Sequence, residues 1–292
     1  MSKVDLRNYV VVLAQLSLLC AAIHLLEIER NGGLPQVALL ALAGFAVHAL
    51  LPHPAKAPWF LAVSLGTAVL VLGTDALWLV GLGLGLFGLC HLPLNLAARS
   101  LLVLVAGVGL LLLRVGHWNT EWSARVIPIL ASMFMFRVIL YLQDTRARVP
   151  EWSWWQRLSY FFMLPNVCFP LFPIVDHARF RQSYFARPAA EIYSKGIHWM
   201  ARGVLHLLLY RVVYHWVLPA PWDITDAVGV LRWVVAGYAL YLRISGQFHL
   251  IVGLLCLFGY DLPETHKNYF LASSFNDYWR RVNIYWKDFI EK

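Results

Sequence analysis

The sequence predicts an all-α protein that crosses a membrane several times, and three observations carry that expectation. Of its 292 residues, 60% are hydrophobic and only 14% are charged, against roughly a quarter charged in soluble domains. The mean hydropathy is +0.62, and a water-soluble fold of this length has too little interior to hide so many apolar side chains. The apolar residues are also gathered into long runs, on the scale of the roughly 20 residues that one helical crossing needs. A chain in hydrocarbon must satisfy its own backbone hydrogen bonds, so these runs are read as helices.

Taken in order, residues 9–27 form the first span. Lys3 and Arg7 precede it, and no small-residue cleavage site follows before Glu27-Ile-Glu-Arg30, so it reads as a retained span rather than a signal peptide. Residues 35–51 and 59–73 are short and are divided by Pro52-His-Pro54 and Pro58, which suits two thin crossings or one helical hairpin. Further spans are expected at 75–93, 100–115, 124–143 and 198–218, with a longer, tilted or broken one at 228–260. The glycines of Gly81-Leu-Gly-Leu-Gly-Leu-Phe-Gly88 have no preceding strand and so do not make a dinucleotide loop. They are read as small residues that let two helices approach closely.

Two segments differ from these. Residues 158–175 carry Pro165, Pro170 and Pro173, which would leave too many carbonyls unpaired in a lipid-facing helix. Basic residues flank the segment on both sides (Arg146, Arg148 and Arg157, then Arg179, Arg181, Arg187 and Lys195), so it reads as re-entrant. Residues 275–290 mix Phe275, Tyr278, Trp279, Trp286 and Phe289 with Arg280, Arg281 and Lys287, as an amphipathic helix at the membrane interface does. The chain divides into N-terminal transmembrane helices (1–121) and a core that holds both special segments (122–292).

The net charge is +8. No basic run is interleaved with solvent-facing aromatics, so nucleic acid is excluded as a partner, and the excess is assigned to cytoplasmic loops and to attraction for anionic membrane lipid. Cys20, Cys90, Cys168 and Cys256 stand far apart inside apolar runs. They show neither metal-ligand spacing nor a disulfide framework and read as buried free thiols.

Polar residues inside apolar spans are costly and are functional candidates. They are His24, His48, Asp75, His91, Arg137, His206, Gln247 and His249. His48, Asp75 and His91 lie near expected helix ends, where an interfacial role accounts for them, and His24 is one turn from Glu27. Arg137 could reach Asp144, and Gln247 with His249 follows a possible helix break at Ser245-Gly246. No Ser/His/Asp or Cys/His order is readable.

Three stretches together resemble the membrane-bound O-acyltransferase (MBOAT) family of bacterial type. Ser132-Met-Phe-Met-Phe-Arg-Val-Ile-Leu-Tyr141 with Asp144 is similar to the family's aromatic span SFxxFRxIxYxxD. Tyr160 to Phe180, with Phe169-Pro-Leu-Phe-Pro-Ile174, is similar to its proline-rich segment. Ser245-Gly-Gln-Phe-His249, Gly253, Leu257-Phe-Gly-Tyr-Asp-Leu-Pro-Glu264 and Phe275-Asn-Asp-Tyr-Trp-Arg-Arg-Val-Asn-Ile284 resemble the pattern SGxxDxxxGxxxxxGFxxPxNF…SxxDFWRRWxI. The match runs in order from residue 122 to 290.

The resemblance implies a many-helix fold around a tunnel, in the inner membrane of a bacterium. It implies transfer of an acyl group from a thioester or lipid donor, which is a co-substrate with no further cofactor, to a hydroxyl such as one on a cell-envelope glycan. Asn283 falls on the family's active-site Asn/His position, while Trp279, Arg280 and Arg281 would line the mouth and meet an anionic donor. Gln247 and Arg137 would complete the substrate-binding set.

Three departures qualify this pattern. His249 stands where Asp is usual, and Phe172-Pro-Ile174 where Gly-Pro-Ile is. No histidine follows Asn283 either, the last being His266. The family's later histidine is thus expected from a longer chain or a second polypeptide, or it has been lost together with the chemistry, with His249 as a stand-in base. The alternative from another class is a non-catalytic membrane subunit that binds lipid or a partner. A transporter is disfavoured, because the two halves show no repeat.

Overall fold

The computed structural model describes residues 6–115, 126–145, 153–164, 175–285 and 287. Among these the protein is all-α, with one isolated antiparallel bridge between Tyr184 and Tyr260 and no strand. Four helical runs are long and apolar enough to cross a membrane: Leu6–Leu25, His53–Leu72, Leu96–Arg114 and Ala227–Leu257. The chain is a membrane protein.

The N-terminal part begins with α1 (Leu6–Leu25), which packs against α2 (Leu34–His48). Tyr9 donates its hydroxyl to the Ala46 carbonyl at 3.0 Å, and the Cys20 thiol faces the Ala38 carbonyl at 3.3 Å. Helices α2 and α3 (His53–Leu72) form a hairpin of two separate helices. Proline in the first turn of each removes a donor that had no partner there in any case. The hairpin closes tightly because a Cβ at Gly44 would stand 2.9 Å from Val63, and Trp59 Nε1 donates to the Gly44 carbonyl at 2.9 Å.

The glycine run does not bring two helices together. In α4 (Asp75–Cys90), Gly81, Gly85 and Gly88 have nothing within 4 Å of a built Cβ, while Gly83 faces the rings of Phe162 and Phe134. With Ala106 and Gly109 of α5 (Leu96–Arg114), Gly81 and Gly85 line an apolar groove of about 420 Å³. The small residues open space between these helices. Asn95 caps α5 by accepting from the Ala98 amide at 2.8 Å.

The expected span at 124–143 is irregular. One turn of α6 (Val126–Pro128) passes into π-helical turns over Ile129–Phe134 and then into α7 (Met135–Thr145). Short helices α8 (Trp154–Phe161) and α9 (His177–Ser183) follow, capped by Ser153 and Asp176. The proline-rich centre expected to be re-entrant, with Pro165, Pro170 and Pro173, lies outside the described residues, as does Cys168. Cys20, Cys90 and Cys256 are free and buried.

The most intimate helix pair is α10 (Ala189–Val212) with α12 (Tyr241–Leu257). A Cβ at Gly196 would meet the Gly253 carbonyl at 2.9 Å, and one at Gly203 the Gly246 carbonyl at 2.8 Å. The reciprocal distances are 2.7 Å for Gly253 and 2.9 Å for Gly246. Glycine at seven-residue spacing on both helices therefore lets the two backbones touch. The pairing continues outward: α10 passes into a π-helical stretch, Val213–Val217, and α11 (Ala227–Ala239) leads almost without a break into α12. Arg232 of α11 donates to the carbonyls of Val217 and Trp216 at 2.7 and 3.0 Å, which covers the open C-terminal end of the first helical limb of this hairpin. The long run expected at 228–260 is thus one outgoing limb with a joint at Leu240, and its partner helix starts at Ala189 rather than at 198.

After α12 the chain turns at Gly259 (φ 90°), where a Cβ would come within 2.3 Å of the Phe185 ring. Phe185 N donates to Gly259 O at 2.7 Å and Asp261 N to Ser183 O at 2.9 Å. Asp261 accepts two bonds from Arg187, at 2.5 and 2.7 Å, and one from Lys195 at 2.5 Å. The hydrogen bonds of Arg187, then the charges around it, hold the Asp261 carboxyl below its ordinary range. The tail helix expected over 275–290 is interrupted: α13 (Phe275–Val282) ends where the backbone becomes extended at Asn283 (φ −154°, ψ 94°). Helical turns resume at 284–285, with Lys287 N donating to Asn283 O at 3.1 Å. The aromatic face of α13 is open, with Phe275 and Trp279 exposed.

Candidate functional site

Helix periodicity puts Ser245 and His249, four apart, on one face of α12, and that face meets α10. The Gly203–Gly246 contact brings the backbones close enough for His206 of α10 to lie across from them. His206 Nδ1 is 3.0 Å from Ser245 Oγ, and the His206 and His249 rings are 5.1 Å apart between centroids. The Trp199 ring closes the other side of His249 at 5.0 Å.

The third histidine comes from the irregular segment. The His266 ring lies 5.4 Å from that of His249, the middle residue of α12, so this non-helical chain runs beside the centre of the helix. Such backbone is tolerated at membrane depth only where protein buries it. Here Thr265, His266 and Tyr269 are buried, and the segment is paired with the tail through the Thr265 carbonyl and the Lys267 amide. Lys267 N donates to Arg281 O and Ile284 N to Thr265 O, both at 3.0 Å, while the Tyr241 hydroxyl donates to Val282 O at 2.8 Å.

His266 Nδ1 faces the Val282 carbonyl. A ring nitrogen against a carbonyl must carry the hydrogen, so in the neutral ring Nε2 holds the lone pair. That Nε2 is buried without a hydrogen-bond partner, and so are His249 Nε2, Trp199 Nε1 and Thr265 Oγ1. Buried polar atoms in folded proteins are nearly all satisfied, by protein or by water, so these atoms are where a water or a ligand group would bind. Among the described residues, no group of three or more His, Cys, Asp or Glu side chains is arranged to hold a metal ion.

The residues singled out from sequence are distributed unevenly around this cluster. His249 is at its centre. Asn283 follows the residue whose carbonyl meets His266 and precedes the one whose amide meets Thr265, so its backbone is fastened beside the cluster. Arg281 joins through its backbone, while its guanidinium pairs with Asp277 at 2.7 Å. Arg280 and Trp279 are exposed on α13. Gln247 is buried, but two residues from Ser245 and from His249 it leaves the helix on the opposite side.

Arg137 belongs to a separate buried cluster. It donates to the Phe161 carbonyl at 2.9 Å and lies over the Tyr160 ring at 5.9 Å. Asp144 in turn accepts from the Ala178 amide at 3.0 Å. Of the residues assigned to helix ends, His91 bonds Tyr141 at 2.9 Å, whereas His48 is fully buried with both ring nitrogens unpartnered.

The sequence offered Ser245 only as part of a helix break with Gly246, whereas α12 runs through both without interruption. It offered His206 only as one of several polar residues in apolar runs, and His266 was not among them. The signal for His206 was present in the matched glycine spacing of 196/203 and 246/253, which fixes the register of two distant helices. His266 lies on no periodic element, and nothing local announces it.

No protein-family model matches the chain, and no match is found among curated proteins.

Proposed function

We propose that the protein is a membrane-embedded O-acyltransferase, or the N-terminal part of one, of the membrane-bound O-acyltransferase type. The observation that carries this reading is the cluster of His206, Ser245, His249 and His266, with two imidazole nitrogens left unpartnered beside the Asn283 backbone. Acyl transfer to a hydroxyl needs a base that accepts the hydroxyl proton as its oxygen attacks the acyl carbonyl, and a donor that stabilises the oxyanion. A neutral imidazole with a free lone pair suits the first task, and the Asn283 amide, which can both donate and accept, suits the second. The leaving thiolate or alkoxide takes up a proton from the imidazolium.

The resemblance in sequence favours a thioester or lipid donor, a cell-envelope hydroxyl as acceptor, and a bacterial inner membrane. A second reading is a non-catalytic membrane subunit that binds lipid or a partner protein.

The test is acyl transfer by the purified chain in nanodiscs, alone and with the products of neighbouring genes. Isotope-labelled acyl thioesters and phospholipids would serve as donors, with mass spectrometry of the acceptors. Transfer that is lost in Asn283→Ala and in His249→Gln supports the assignment. Normal turnover in both variants would remove this cluster from the chemistry, and no transfer under any combination would favour the second reading.

A further inference from the structure

A second polar site lies where α1 ends and α12 begins. It is an open pocket of about 540 Å³ whose floor includes Ile28 and Leu207 and whose walls carry Tyr210, Arg211, Tyr214, His215 and Arg243. Its charges are unevenly compensated. Arg30 pairs with Glu27 at 2.5 Å, and Arg243 grips Glu29 with two bonds at 2.8 and 3.0 Å. Arg211 is different, because its partners are the carbonyl oxygens of Leu26 and Glu27, which orient the guanidinium without neutralising it. The pocket therefore holds two neutral ion pairs and one fixed, uncompensated cation. Tyr210 and Tyr214 stack at 5.8 Å, and His215 stands 5.1 Å from Tyr214.

The surroundings indicate the ligand class. The pocket sits at the end of a helix long and apolar enough to cross the membrane, the depth at which Tyr and Arg meet headgroups. Leading away from it, α1 exposes Leu25 and α10 exposes Leu205, Leu209 and Val212. A planar guanidinium held by carbonyls has donors left for a phosphate oxygen, and apolar helix surface beside it suits an acyl chain. We infer that this pocket binds the phosphate of an anionic phospholipid headgroup, read by Arg211 with help from the Tyr214 hydroxyl and His215. The site is distinct from the histidine cluster and does not rest on the acyltransferase reading.

Native mass spectrometry of the full chain, released from detergent and titrated with dioleoyl phosphatidylglycerol or dioleoyl phosphatidylcholine, tests this. The expected result is a preference for the anionic lipid of about tenfold, because both headgroups offer the phosphate but only the choline brings a second cation up to the uncompensated Arg211. Arg211→Gln should abolish the preference, and Arg211→Lys should restore part of it. Arg211 also ties down the end of α1, so the solvent-facing variants Tyr214→Phe and His215→Ala are measured as well, and each should weaken the preference. Competition by short-chain dihexanoyl phosphatidylglycerol is expected. Equal binding of the two lipids, an unchanged preference in all four variants, or binding of inorganic phosphate without any lipid preference would overturn the assignment.

Discussion

At the scale of single residues, the structure separates two kinds of buried polar group. Arg137 is satisfied, with a carbonyl in front of its guanidinium and an aromatic face beside it. Arg137→Leu should leave the Phe161 carbonyl without that donor in an apolar interior and lower the melting temperature in detergent, at a cost of roughly 1–3 kcal/mol. The imidazoles of His249 and His266 are of the other kind, since the Nε2 of each has no hydrogen-bond partner. His266→Phe, close in shape and without the ring nitrogens, should therefore cost little stability beyond the lost bond to Val282 while removing acyl transfer. A thermal melt and a labelled-acyl assay on the same preparation check both halves, and a variant that transfers normally would exclude His266 from the chemistry.

The sequence made His249 and Asn283 visible, because a polar residue in an apolar run and a motif position can each be read locally. It hid the partnership of His206 with Ser245, which depends on how two helices register. Trp279 and Arg280 also looked like site residues, yet both are exposed on α13, while Val282 of the same helix is buried.

Asp261 allows a prediction with a definite sign. Its carboxyl titrates lower in the folded protein than in the unfolded chain, so its contribution is complete above the ordinary carboxylate range. That contribution is lost as the pH falls through the lowered folded value. A melting temperature that is flat near neutrality and falls below about pH 4 is expected, and Asp261→Asn should flatten the fall. An unchanged acid limb in that variant would show that the tie to Arg187 and Lys195 does not matter for stability.

At the scale of elements, the glycines of α10 and α12 contrast with those of α4. Gly253→Ala would push a methyl group to within 2.7 Å of the Gly196 carbonyl, and Gly246→Ala to within 2.9 Å of that of Gly203. Either should destabilise the protein by roughly 1–3 kcal/mol, the usual cost of overpacking. Gly85→Ala, with open space around it, should be neutral or slightly stabilising. Melting temperatures of the three variants decide this, and equal effects at 85 and 253 would contradict the close backbone contact. Composition made the helices legible, with α1, α4 and α5 close to their expected bounds, because leucine-rich runs in lipid have little choice of conformation. Helix α3 begins six residues before its expected start and carries Pro58 inside it, where a divider was expected. Composition did not reveal the purpose of each glycine, since identical spacing can open a groove or close an interface depending on what faces it. The irregular stretch Ile129–Phe134 was equally hidden, because π-helical turns leave the apolar pattern of a span intact.

At the scale of the whole molecule, the membrane assignment was legible from composition alone, whereas the association of the tail with the centre of α12 was not. That association comes from backbone pairing between Thr265–Lys267 and Arg281–Ile284, two stretches with no periodic signature. The Ala227–Leu257 limb of the long hairpin has a further consequence. At 1.5 Å per residue its 31 residues extend about 46 Å, well beyond a hydrocarbon layer of roughly 30 Å. The surplus apolar length includes Val228, Leu231 and Val235, with Trp216 and Trp222 at the tip, 77% and 83% exposed. An element of this contour must bend at the Leu240 joint, lean steeply or draw the bilayer up around its end, and the last two give the protein a preference for thick over thin membranes. Reconstitution across lipids of increasing acyl length should therefore give melting temperatures that rise with thickness, and a sorting bias of this kind would follow from the hairpin whatever chemistry the histidines perform.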